Sequence, residues 1–114
     1  MDDCIFCKII DGEISSKKVY EDENIFAFYD IHPLAPIHVL IIPKKHIARL
    51  SEATLEDENL LGKLQLAAAK IAKDLKIADT FRLSLCNGKK AGQSVFHIHY
   101  HLRGGWEGEA PGMS

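Results

Sequence analysis

Between Phe96 and Leu102 the chain alternates apolar residues with histidines: Phe96, His97, Ile98, His99, Tyr100, His101, Leu102. That alternation constrains the fold more than any other stretch, because a β-strand sends successive side chains to opposite faces. Read as a strand, the segment lines one face with His97, His99 and His101, a row about 13 Å long at about 3.3 Å per residue. Phe96, Ile98, Tyr100 and Leu102 then face the other way into a core. Histidine is a poor strand former beside Ile, Val or Tyr, so propensity does not choose it three times. The row is most simply a site. It admits catalysis, a metal site built on a His-x-His pair, or a sheet face of structurally bonded imidazoles.

The remaining segments supply partners for this strand. Cys4 to Ile10 reads as a short helix closed by Gly12. Lys18 to Glu21 and Ile25 to Tyr29 are β-prone and flank the turn sequence Asp22-Glu23-Asn24, which predicts a hairpin. His38 to Ile42 reads as a buried strand between Pro36 and Pro43. Thr54 with Asp57 three positions on resembles a helix cap. Beyond it Leu61, Leu64, Ala68, Ile71 and Leu75 form a stripe at helical spacing. Phe81 to Cys86 alternates like a strand. The order β-β-β-α-β-β predicts a single α+β domain over residues 1–114, with an antiparallel sheet packed by one long helix.

Two segments add chemistry. Asn87-Gly88-Lys89-Lys90-Ala91-Gly92-Gln93-Ser94 offers turning amides, neutral donors and a basic rim suited to an anion. It also reads as an ordinary Asn-Gly turn. Asp30, at the end of an apolar strand, could accept from vicinal hydroxyls or cap the Pro-rich turn that follows. His38 could orient another imidazole.

Composition excludes whole classes of function. With 114 residues and a net charge of −2, the chain carries no basic cluster for a nucleic-acid polymer. No apolar run reaches membrane-span length, and the acidic start Met1-Asp2-Asp3-Cys4 lacks signal-peptide character, so a cytoplasmic location is expected. Three cysteines cannot all pair, and in a reducing compartment they are thiols or metal ligands. Cys4-x-x-Cys7 alone could be two buried small residues or a redox pair, although the βαβ setting of the latter is missing.

His97-Ile98-His99-Tyr100-His101-Leu102 resembles the His-φ-His-φ-His-φ signature of the histidine triad superfamily of nucleotide hydrolases and transferases. Phe6-Cys7-Lys8-Ile9-Ile10, Ala27-Phe28-Tyr29-Asp30-Ile31, Ile42-Pro43-Lys44-Lys45-His46 and Ala91-Gly92-Gln93-Ser94-Val95 resemble family segments in the family order, over nearly the whole chain. Leu102-Arg103-Gly104-Gly105 looks more like the HINT branch of nucleoside phosphoramidases than the dinucleoside polyphosphate hydrolase branch. The resemblance implies a HIT-like fold of about five strands, and hydrolysis of purine nucleoside 5′-phosphoramidates to a nucleoside monophosphate and an amine. Dinucleoside polyphosphate hydrolysis, or nucleotide binding by a scaffold with residual activity, are the alternatives.

It also implies roles for single residues. His99 would attack the α-phosphorus and carry the nucleotidyl group, and His101 would bind the phosphate oxygens, supported by His38. Gly92, Gln93 and Ser94 would meet the phosphate, and Ser94 would help protonate the departing amine. Asn87 would hold the phosphate end, Asp30 the ribose, and Ile31 would pack near sugar or base. Cys4, Cys7, His46 and His97 would form a structural Zn²⁺ site, and the chemistry itself would need no metal. Two copies would form a homodimer through the long helices and sheet edges.

Overall fold

The computed structural model describes residues 3–112; Met1 and Asp2 of the acidic start, and Met113 and Ser114 of the tail, lie outside the described residues. Five strands form one antiparallel sheet: β1 (Lys18–Glu21), β2 (Ile25–Tyr29), β3 (Ile37–Pro43), β4 (Phe81–Ser84) and β5 (Tyr100–Gly104), in the order β1-β2-β3-β5-β4. Two helices accompany it, α1 (Ile5–Ile10) and α2 (Glu58–Asp74). No helix of the described residues is long and apolar enough to cross a membrane.

Both faces of the central strands are covered, so their sequences are almost wholly apolar. On one face Ile25, Ala27, Val39, Ile41 and Leu102 pack against Leu64, Ala68 and Ile71 of α2. On the other, Phe26, Phe28, Leu40 and Ile42 meet Phe6 and Ile9 of α1. Each such large side chain contributes about 1.5–3 kcal/mol on burial. The short helix therefore caps the histidine-bearing face and the long helix the opposite one.

Local signals set the element ends. Asp22 Oδ1 accepts the Asn24 and Ile25 N–H groups at 2.8 and 2.9 Å, closing the β1–β2 hairpin. Gly12, at φ +83°, takes the left-handed conformation just past α1. Thr54 and Asp57 form the reciprocal capping pair, but around a 3₁₀ turn (Leu55–Asp57) that leads into α2. Asp57 also takes the Lys45 ammonium at 2.6 Å, tying the start of α2 to the chain just after β3.

Three expectations need correction. The histidine strand is regular only from Tyr100: His97, Ile98 and His99 run into it outside the ladder. Pro43 is the last residue of β3 rather than its boundary, and it has no N–H to give. Its carbonyl instead accepts His97 Nε2–H at 2.7 Å, while the Ile98 N–H goes to Ile47 O at 2.8 Å. Phe96 is 45% exposed and not core.

Candidate active site and metal centre

The N-terminus of α1 gathers two sulfurs. Cys4 is its N-cap, and Cys4 Sγ accepts the Cys7 N–H at 3.3 Å, so one helical turn sets both thiols on one side. His46, just after β3, and His97 close on them. Cys4 Sγ lies 3.4 Å from His97 Nδ1, and Cys7 Sγ lies 3.4 Å from His46 Nδ1 and 3.6 Å from His97 Nδ1. The two Nδ1 atoms are 3.2 Å apart. A tetrahedron with ordinary zinc–nitrogen and zinc–sulfur bonds has nitrogen–nitrogen and nitrogen–sulfur edges of roughly 3.3–3.6 Å. The measured separations match it.

Protonation agrees with that geometry. A carbonyl only accepts, so the bond to Pro43 fixes the His97 proton on Nε2 and leaves the Nδ1 lone pair toward the thiols. Burial pushes the His97 ring down to about 4, so it is neutral at pH 7. Burial, then the Cys4 thiol, pushes the Cys7 thiol up to about 11, and a cation would be needed to hold it as thiolate. These four residues can hold a metal ion, with no ligand position left open for chemistry.

Two residues further on, the same segment does something different. His99 Nδ1–H donates to the His97 carbonyl at 2.9 Å, which leaves the Nε2 lone pair free. Phe6 stands edge-on to the ring at 5.1 Å between centroids and fixes its plane. Burial lowers the His99 pKa, keeping the ring neutral and nucleophilic at pH 7. His101 lies 5.0 Å away, centroid to centroid.

The protons of His38 and His101 are fixed by a relay from the backbone. The Leu34 N–H donates to His38 Nδ1 at 3.1 Å, so the His38 proton sits on Nε2. His38 Nε2–H donates to His101 Nδ1 at 2.9 Å, which puts the His101 proton on its own Nε2. Burial pushes His101 down to about 4, and the neighbouring His99, Arg103 and His38 act in the same direction. Burial likewise lowers His38. The pair at the centre is thus one imidazole with a free lone pair and one with a free N–H donor.

Asp30 follows β2 and stands beside this pair. Its Oδ1 accepts the His32 N–H at 2.8 Å, and its Oδ2 lies 3.6 Å from His38 Nε2. A cleft of about 830 Å³ opens here, lined by Ser15, Ser16, Lys17, Asp30, Ile31 and His38 among others. Ile31 is 84% exposed. The sequence reading missed the contribution of residues 15–17. The hairpin held the signal, since Tyr29 N–H bonds Lys17 O at 3.0 Å and sets that segment beside Asp30.

The loop before the histidines is more self-contained than its composition suggests. The Gly92 N–H goes to Lys89 O at 3.0 Å and the Gln93 N–H to Gly88 O at 3.1 Å, so neither amide faces outward. Gly92, at φ +101°, makes the left-handed turn this closure needs. The buried Gln93 amide gives its Nε2 hydrogens to Ala48 O at 2.7 Å and Val95 O at 2.9 Å, and its Oε1 takes the Gly88 N–H at 2.8 Å. Gln93 shapes the loop, and a direct ligand contact would cost one of those bonds. Asn87 Oδ1 is likewise engaged, by the Ser51 N–H at 2.8 Å. Ser94 is exposed and lines a second cleft with Cys4 and His46.

Known proteins share this fold. The profile of the HIT domain family matches residues 11–107. An uncharacterised HIT-like protein from Synechocystis is 54% identical over 104 residues, covering 91% of this chain and 91% of that protein. A HIT family hydrolase from Clostridium thermocellum superposes with a TM-score of 0.92 at 48% identity, covering 97% of this chain and 98% of that one. A histidine triad nucleotide-binding protein from Candida albicans superposes with a TM-score of 0.80 at 36% identity, covering 96% of this chain and 86% of that one. With that sequence match on the same fold, the chain belongs to the HIT domain family.

Proposed function

We propose that this chain is a nucleotide hydrolase that cleaves purine nucleoside 5′-phosphoramidates through a nucleotidyl-His99 intermediate. The observation that carries the reading is the opposed protonation of the two adjacent rings. His99 offers a lone pair on Nε2 and His101 an N–H, both set by hydrogen bonds to their other nitrogens. Similarity to a hydrolase and to a nucleotide-binding protein supports it.

In the first half-reaction His99 Nε2 attacks the α-phosphorus and the P–N bond breaks. The amine leaves with a proton, for which the Ser94 hydroxyl is the assigned donor. His101 Nε2–H stabilises the charge gathering on the phosphoryl oxygens. Water then attacks phosphorus and returns one proton to the Ser94 oxygen, the bond to Nε2 breaks, and the nucleoside monophosphate departs as His99 returns to a neutral imidazole. Asp30 holds the ribose hydroxyls, with Ile31 against the sugar or base. Cys4, Cys7, His46 and His97 would hold a structural Zn²⁺, which would pin α1 to the sheet in a cytoplasmic protein and supply nothing to the reaction. Two copies pair into a homodimer through the long helices and the sheet edges.

Turnover of adenosine 5′-phosphoramidate by wild type and His99→Ala, without added metal, tests the reading. Turnover in wild type and none in His99→Ala is expected. No turnover in either overturns it and turns attention to dinucleoside polyphosphates. A single-chain mass by light scattering at micromolar concentration would remove the homodimer.

A further inference from the structure

One charged row crosses the histidine face of the sheet. Asp30, after β2, gives its N–H to the His38 carbonyl on β3 at 3.0 Å. The register sets His38 opposite Arg103 on β5, and Arg103 opposite Arg82 on β4. Opposed residues share a face, and Arg103 stands two places beyond His101 on the same strand, so all of them belong to the histidine side. His38 therefore lies between a carboxylate and a guanidinium, with its partner His101 next to Arg103.

The two arginines are held differently. Arg82 donates its terminal nitrogens to the carbonyls of Pro111 and Gly112, and its guanidinium lies 5.5 Å over the Trp106 ring. Arg103 belongs to none of the ion pairs among the described residues, and its Nε is buried with no hydrogen-bond partner. A buried donor on a cation without a partner is costly, and in a native fold it calls for an explanation. With no carboxylate to neutralise it, its charge acts against a proton on both His38 and His101. The other groups of that kind around the pair are Asp30, His99 and Lys17. Asp30 Oδ2 lies 3.6 Å from His38 Nε2, the His99 ring 5.0 Å from that of His101, and Lys17 on the wall of the cleft that His38 also lines.

The relay through these two rings has no place for a further proton. One added at His101 Nδ1 would set two N–H groups head to head across 2.9 Å. One added at His38 Nδ1 would meet the Leu34 N–H across 3.1 Å. Either would break the chain of bonds that orients the His101 ring. Asp30 draws a proton toward the pair, so an opposing charge is needed to keep it away. We propose that Arg103 is a positioning residue whose unpaired charge keeps the His38–His101 pair free of an added proton, and so holds His101 in place as a neutral donor to the phosphate. For its catalytic meaning this rests on the phosphoramidase reading of the same site. Arginine suits the task because it does not shed its charge, and lysine would supply the same charge without the planar fork.

The test follows the histidine rings by long-range proton–nitrogen NMR as the pH is lowered, in wild type, Arg103→Gln and Arg103→Lys. His38→Ala and His101→Ala assign the signals, and kcat and KM for adenosine 5′-phosphoramidate are taken over the same range. In wild type the pair should stay uncharged well below the ordinary histidine range of about 6.5. Arg103→Gln should move its protonation upward by about half a pH unit or more, and Arg103→Lys should leave it close to wild type. The acid limb of kcat should move with the rings, while KM changes little. A wild-type pair that takes its proton at about pH 6.5 or above overturns the inference without recourse to any Arg103 variant. So does an Arg103→Gln titration that coincides with wild type. An Arg103→Lys shift as large as that of Arg103→Gln overturns it too, since packing rather than charge would then be at work. A shifted titration with an unmoved acid limb of kcat removes the positioning role. Absence of turnover in wild type overturns the phosphoramidase reading instead, and the ring titrations still judge Arg103 by themselves.

Discussion

His97 and His99 are two residues apart, both buried, and lie against the same phenylalanine, yet they are prepared for opposite tasks. The difference lies in which ring nitrogen the backbone takes. The Pro43 carbonyl holds His97 by Nε2 and leaves Nδ1 toward two thiols and another imidazole. The His97 carbonyl holds His99 by Nδ1 and leaves Nε2 without a partner among the described residues. One region is a closed cluster with every donor turned inward; the other keeps a lone pair and an N–H unclaimed. Backbone carbonyls, more than residue type, assign what a histidine can do here.

The sharpest way to break this comparison is to remove each side in turn. His99→Ala should lower turnover of adenosine phosphoramidate by at least about 10³-fold, with the thermal midpoint little changed. His38→Ala, which frees His101 Nδ1 from its donor, should lower kcat by about 10–100-fold while leaving substrate affinity within a few-fold, as seen in steady-state kinetics. Cys4→Ser with Cys7→Ser, or treatment with a strong chelator, should do the reverse. Calorimetry should show a midpoint lowered by about 10 °C or more, with activity per folded molecule largely kept. If chelation instead stopped turnover at unchanged stability, the division of labour between the two regions would be wrong.

Smaller effects sharpen the contrast. Gln93→Ala should destabilise the protein by about 1–3 kcal/mol in urea unfolding, since it leaves the Gly88 N–H and two carbonyls without partners. Acid should act through the enclosed imidazoles. Burial holds the folded-state pKa of His101 near 4 and lowers that of His38, below the ordinary 6.5 of an unfolded chain. The unfolded chain therefore binds more protons as pH falls below about 6.5, and stability should decline from there to about pH 4. His101→Asn should flatten that decline in unfolding curves taken at several pH values.

Much of this was legible in the residues because short-range rules governed it. Asp22 closes its hairpin with its own carboxylate, and the helical stripe from Leu64 to Ile71 is the buried face of α2. The alternation of the histidine segment was read correctly, but the start of its ladder was not. That start depends on Pro43 and Ile47, some fifty residues earlier: the Ile47 carbonyl takes the Ile98 N–H, and the Pro43 carbonyl takes the His97 ring N–H. Gln93 and Asn87 read as ligand donors because their amides suit anions; their partners on Ala48 and Ser51 are set by tertiary packing that local sequence does not reveal.

The three bonds of Gln93 have a mechanical consequence. They join Gly88, Val95 and Ala48 through one enclosed amide, and Ala48 stands two residues from His46. The glycine-rich loop therefore cannot swing as a flap on its own hinges, because any opening would drag the segment that carries His46. Ligands must enter across a preformed rim. The Gly88 amide should then exchange its hydrogen on the slow timescale of the sheet interior, in a stretch whose composition alone suggests a mobile loop.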